Sequence, residues 1–268
     1  MSRYALAFAG LLCAAPVQAE SLIGSVMELL LQAPESEIQQ ESVEISDEAW
    51  DYVAGNLLTT FYHELGHALI HQLDLPVLGR EEDAADMLSV VLTEKIWQED
   101  AASTYAAAQA LSYLLSADSY EVDETALGGV HALDLQRYYT HICLFYGANP
   151  EAREEWLSAF DLPESRKESC PDEFAQAQSG WQRFLDDLEA EAPGDALTFT
   201  VDQEDGISLL IAQEVDDLNA LFALPQKIAV SYESCEEINA YYYPSASQIV
   251  ICTEYADWLL EQAESLDL

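Results

Sequence analysis

Residues 47–73 carry apolar side chains at three- and four-residue steps, and no other stretch constrains the fold as strongly. Trp50, Val53, Leu57, Leu58, Phe61, Leu65, Leu69 and Leu73 follow the period of an α-helix, with Ser46 or Asp47 placed to cap its start. The C-terminal half of this helix contains His63-Glu64-Leu65-Gly66-His67. Histidines four apart stand one turn apart on one face, so their imidazoles converge on a single ion. The glutamate after the first histidine then reaches a water bound to that ion. The spacing predicts Zn2+ held by His63 and His67, with Glu64 as general base.

Catalytic zinc takes three protein ligands and leaves the fourth position to water. The third histidine of metzincins, six residues after the second, is absent because Leu73 occupies that place. His71 lies on the continuous helix and reads as solvent-facing or packed. The run Leu75-Pro76-Val77-Leu78-Gly79 ends the helix, and a second one runs from near Arg80 to about Gln98. It opens Glu81-Glu82-Asp83-Ala84-Ala85-Asp86, in which Glu82 and Asp86 share a face. This is the E-x-x-A-D pattern of gluzincins, where Glu82 would bind zinc and Asp86 would orient a ligating histidine from behind. Carboxylates are favoured at any helix N-terminus, so Glu81 and Asp83 need no further role and stand as fallback ligands.

Downstream the pattern is helical to about residue 192, with helices expected at 101–117, 131–146, 151–160 and 171–191. After Pro193-Gly194 it becomes mixed. Strands are expected at 197–201, 227–232, 240–243 and 248–252, the last two forming a hairpin around Pro244-Ser245-Ala246-Ser247, with helices at 206–222 and 254–266. The expected fold is α+β: a mostly helical zincin-like domain over 47–268, helical at 47–192 and α/β at 193–268, with a small antiparallel sheet. The run Tyr241-Tyr242-Tyr243 reads as strand packing, and His141 as a helix-surface or core residue.

Charge excludes two classes of partner. Fifty acidic residues face nine basic ones, a formal −41, which repels nucleic acid and anionic membranes. The acids are spread along the whole chain, as for solubility rather than substrate steering. Residues 1–19 read as a signal peptide, with Arg3, an apolar stretch to Pro16, and Val17-Gln18-Ala19 before a cut after Ala19. That places the protein in the periplasm or outside the cell, with 20–46 as an N-terminal arm. No later stretch approaches membrane-spanning length, so no stable membrane insertion is expected. Cys143, Cys170, Cys235 and Cys252 remain after the leader, an even count suited to an oxidising compartment. Three pairings are possible; Cys143–Cys170 with Cys235–Cys252 is preferred because each brackets one contiguous block.

The run Tyr62-His63-Glu64-Leu65-Gly66-His67-Ala68-Leu69-Ile70, followed by Leu75 through Asp86, resembles a bacterial family of unknown function regarded as metallopeptidases. The likeness extends through His131-x-x-Asp134-x-Gln136-Arg137-Tyr138-Tyr139, Cys143 and Tyr146-Gly147. It continues in Cys235, Asn239-Ala240-Tyr241-Tyr242 and Ile251-Cys252-x-Glu254-Tyr255. It covers most of residues 60–255 and implies a zinc peptidase acting on a peptide or protein substrate, in which a strand beside the zinc helix holds that substrate. His63, His67 and Glu82 would hold the ion, and Glu64 would move a proton from water to the leaving amine. His131, with Asp134 one turn on, is the first candidate for donating to the oxyanion; a structural His131–Asp134 pair is the alternative. Tyr139 and Arg137 are weaker candidates, Arg137 being better suited to pairing with an acidic neighbour. The competing expectation is a catalytically silent zinc-binding scaffold or interaction protein. Glu64 counts against it, since structural zinc needs no base and prefers four protein ligands.

Overall fold

A computed structural model describes residues 45–119, 121–201, 204–266 and 268. The signal peptide expected at 1–19 and the arm as far as 44 lie outside the described residues. Helix α1 (Asp47–Leu73) spans the stretch set by the apolar period. The Ser46 hydroxyl caps it by accepting the Ala49 N–H at 3.0 Å. It ends at Asp74, whose left-handed backbone (φ 50°) turns its N–H back onto the last-turn carbonyls. At 1.5 Å per residue the helix is about 40 Å long. Burial extends well beyond the apolar stripe to Gly55, Asn56, Thr59, His63 and Glu64, so α1 is enclosed on nearly every side. It is the spine of the molecule rather than a surface helix.

Two helices lie along that spine, α2 (Glu81–Ile96) and α3 (Glu99–Asp118). They come close because glycine faces them. A Cβ on Gly66 would stand 3.0 Å from Ala85 Cα, and one on Gly55 would stand 2.9 Å from Tyr105 Cα. Next come α4 (Glu124–Gly128), α5 (Asp134–Ala148), α6 (Trp156–Ala159), α7 (Glu164–Lys167) and α8 (Cys170–Asp187). Helix α5 packs on α3 and α8, and Cys143–Cys170 joins it to the start of α8. It begins three residues later than expected: Leu133 is its first half-turn, its N–H donating to the Gln136 side chain at 3.2 Å. His131 is therefore a loop residue.

The C-terminal portion comprises β1 (Leu197–Val201), α9 (Gly206–Leu221), β2 (Ile228–Glu233), β3 (Ala240–Tyr243), β4 (Gln248–Cys252) and α10 (Thr253–Ser265). The fold is α+β, mostly helical, as expected, but the sheet is mixed rather than antiparallel. Its order is β1-β2-β4-β3. Phe199 pairs with Val230 and Tyr232 with Ile251 in parallel, and only the β3–β4 hairpin, with Tyr241 opposite Val250, is antiparallel. The connections are the cause. Helix α9 carries the chain back so that β2 runs alongside β1, and residues 234–239 carry it past the place that β4 later fills. The Cys235–Cys252 disulfide ties that connection to the end of β4. Strand β3 is left as an edge beside α1. Leu57, Phe61 and Leu65 of α1 share one core with Val230, Ile249 and Ile251 of the sheet.

Candidate metal centre

Helices α1 and α2 bring His63, His67 and Glu82 to one point. The Nε2 atoms of His63 and His67 are 3.1 Å apart, and each lies 3.2 Å from Glu82 Oε2. Each imidazole is fixed from behind. His63 Nδ1 meets Asp86 Oδ1 at 2.8 Å, and His67 Nδ1 meets Glu81 Oε1 at 2.8 Å. With Nδ1–H donating to a carboxylate, each Nε2 turns its lone pair inward. Three acceptors then face one another at close range, an arrangement that repels itself unless a positive charge sits between them.

The electrostatics point the same way. Burial opposes a charge on His63, yet hydrogen bonds to Asp86 and Glu82 outweigh it and hold the pKa up at about 9. Burial likewise opposes charge on His67, and the Glu82 carboxylate again raises it. Burial works to raise Glu82 too, but His131, His63 and His67 hold its carboxyl far below the usual carboxylate range. The residues fit a divalent cation: ligand atoms at 2.0–2.1 Å from one tetrahedral ion stand about 3.3 Å apart. Nitrogen and carboxylate oxygen are also a donor set that zinc accepts.

Around these three, each remaining candidate has a definite place. Glu64 is buried beside the cluster, and burial pushes its carboxyl up despite the adjacent histidines. His131 reaches in from its loop, half-exposed, with Nε2 2.8 Å from Glu82 Oε2. Asp86 is gripped by Arg137, whose Nε and Nη2 donate to its two oxygens at 2.9 and 2.8 Å. The Arg137 charge, followed by His63, holds Asp86 well below the carboxylate range although burial acts against it. Arg137 thus pairs with an acidic neighbour, and it also contacts Asp134 at 3.9 Å. His141 is a core residue, pushed down to about 4 by burial. His71 is exposed and meets the Tyr242 hydroxyl at 2.9 Å.

Three features escaped the sequence. Glu81 orients His67, although its carboxylate is indistinguishable in sequence from a helix-start charge; the signal was that a second imidazole, if it is to ligate, also needs an acceptor. Arg137 backs Asp86 from 51 residues away. Tyr241 and Tyr242, expected to pack within the sheet, line the cavity of about 570 Å3 at the cluster, together with Asn239 and Ala240. A second cavity of about 410 Å3 adjoins His63, Glu64 and His131 on the side of Gln109, Ser112 and Trp258. Cys235, Cys252 and Glu254 also lie close together, but the two sulfurs are bonded to each other and offer no thiolate.

No helix among the described residues is long and apolar enough to cross a membrane. No curated protein and no solved structure matches the chain. A family model does, over residues 23–185 and 203–266, which include every residue of the cluster. On that match the chain belongs to the family described as "putative metallopeptidase".

Proposed function

We propose that the protein is an exported, gluzincin-type zinc peptidase that hydrolyses peptide bonds in a peptide or protein substrate. The supporting observation is the meeting of His63 Nε2, His67 Nε2 and Glu82 Oε2 within 3.1–3.2 Å, with buried Glu64 beside them. Zinc bound there would supply a Lewis acid that polarises the scissile carbonyl and acidifies a water. Asp86 and Glu81 keep the two imidazoles turned inward as ligands. Glu64, made more basic by burial, takes the water's proton and passes it to the leaving amine. His131, at the rim of the cluster, donates to the developing oxyanion. An extended substrate lies along the free edge of β3, adding a strand to the sheet. Residues 1–19 direct export and are removed after Ala19, and the two disulfides suit an oxidising compartment.

Elemental analysis and a peptide-cleavage assay test this together. The purified protein is expected to hold stoichiometric zinc. Glu64→Gln should keep that zinc and lose cleavage by about 100-fold or more. Bound zinc without Glu64-dependent cleavage would leave the silent scaffold in place of the enzyme. Failure to bind zinc when it is supplied would remove both readings.

A further inference from the structure

We infer that a groove beside the metal centre recognises an acidic, apolar-flanked segment of the substrate, with Arg80 and Arg183 taking its carboxylate. This rests on the peptidase reading above and adds a substrate class to it. Of the nine basic residues, Arg3 lies outside the described residues. Six of the other eight are each held by a carboxylate: Lys95, Arg137, Arg153, Arg166, Lys167 and Lys227. Arg80 and Arg183 have no ion-pair partner among the described residues, and both are exposed. With 50 acids to 9 bases, two unpaired cations are unexpected, because almost any surface position has a carboxylate within reach.

Both line the same groove, a depression of about 600 Å3. Its floor is apolar, built from Leu75, Val77, Met87, Leu144, Trp181 and Phe184. Arg80 also lines the cavity at the metal centre, so the groove and the centre meet at that residue. Two carboxylates, Asp83 and Glu173, share the groove wall. Glu173 is already engaged by Arg166 at 2.7 Å and by Ser169 at 2.8 Å.

An apolar floor with two guanidiniums that hold no carboxylate, that of Arg183 lying 5.0 Å over the Phe184 ring, fits a ligand that carries apolar side chains and a carboxylate together. A small anion would leave the floor uncovered. A second copy of the chain would set −41 against −41. A substrate polypeptide meets both requirements, and the proposed function puts one at the adjoining centre. The rest of the surface repels acidic peptides, but at physiological salt that repulsion is screened beyond roughly 8 Å. Arginine–carboxylate contact in the groove is short-ranged and bidentate, so it discriminates where the long-range field does not.

Two measurements test this. In the first, the zinc-loaded protein digests a proteome-derived peptide library, and the cut sites are read by mass spectrometry. Acidic residues next to apolar ones should be enriched at a fixed distance on one side of the cut. Arg80→Gln and Arg183→Gln should each reduce that enrichment about fivefold to tenfold, with the double variant abolishing it. In the second, fluorescence anisotropy on Glu64→Gln compares a blocked nonapeptide bearing one glutamate between leucines with its glutamine counterpart. The glutamate peptide should bind about tenfold tighter, and Arg80→Gln should remove the difference. Cleavage without acidic enrichment, or enrichment that survives both arginine changes, overturns the inference. Absence of any cleavage counts against the peptidase reading instead, and equal binding of the two peptides then overturns this one. Photocrosslinking from position 78, on the exposed rim, to residues upstream of 45 or to a second copy would likewise overturn it.

Discussion

Asp86 shows how much of the centre rests on one side chain. Its two oxygens take His63 Nδ1 and both arms of the Arg137 fork, so one carboxylate orients an imidazole of the candidate centre and neutralises a half-buried cation. Asp86→Ala is expected to weaken zinc binding by about 10- to 100-fold, measured by competition with a chromophoric chelator. It should also lower the unfolding free energy of the zinc-free protein by about 3 kcal/mol in urea titrations, because Arg137 loses both short hydrogen bonds and keeps only the 3.9 Å contact to Asp134. Normal values for both would deny Asp86 its double role. At this scale the sequence was informative where position follows helix spacing: the meeting of His63, His67, Glu82 and Asp86 is readable from four-residue steps. It was silent on Glu81 with His67 and on Arg137 with Asp86. Those contacts depend on where α2 and α5 lie, and adjacent carboxylates on one helix turn look alike until a partner selects one.

Between elements, the critical contact is α1 against α2 at Gly66. A Cβ there would press on Ala85 at 3.0 Å from its Cα and on Leu88 at 3.4 Å, so a larger side chain must push the helices apart. Since α1 carries the histidines and α2 carries Glu82, that displacement would open the cluster. Gly66→Val should cost about 1–3 kcal/mol of stability and weaken zinc binding about tenfold or more. Gly180→Ala, in α8 with nothing within 4 Å of the new Cβ, should instead be neutral or stabilising by up to about 1 kcal/mol. Equal effects of the two, read by thermal unfolding and zinc titration, would contradict this account. The elements themselves were largely legible, because periods of 3.6 and 2 are local properties. Strand direction was not: β1, β2 and β4 run parallel because of α9 and the 234–239 connection, which no strand residue encodes.

At the scale of the whole molecule, a buried acid couples the C-terminal portion to the spine. Glu214 of α9 accepts the Tyr62 hydroxyl at 2.8 Å, and Tyr62 in turn accepts the Trp97 N–H at 2.9 Å. Burial pushes the Glu214 carboxyl up to about 7 from 4.5. A folded pKa above the unfolded one means the protonated form is favoured by folding. The resulting stability is full below pH 4.5 and is lost as pH rises through about 7. The shift corresponds to about 3 kcal/mol at most. Glu214→Gln should therefore gain on wild type as pH goes from 5 to 8.5 in denaturant unfolding. Using the difference between the two proteins cancels the mutual repulsion of the other acids, which grows over the same range. A constant difference across that range would show that Glu214 ionises freely in the folded state.

The sequence alone determined the long central helix, the four residues His63, His67, Glu82 and Asp86 that meet at the candidate centre, the acidic surface and the order of the elements. Each follows from composition or from periodicity within one segment. Tertiary structure decided the mixed sheet, the loop position of His131, the orienting role of Glu81, the grip of Arg137, and the placing of the tyrosine strand at the centre. It also gathered the two unpaired arginines at one groove. These depend on which elements lie side by side, and that is settled by burying one shared core around α1, a free-energy balance over the whole chain that no single segment carries.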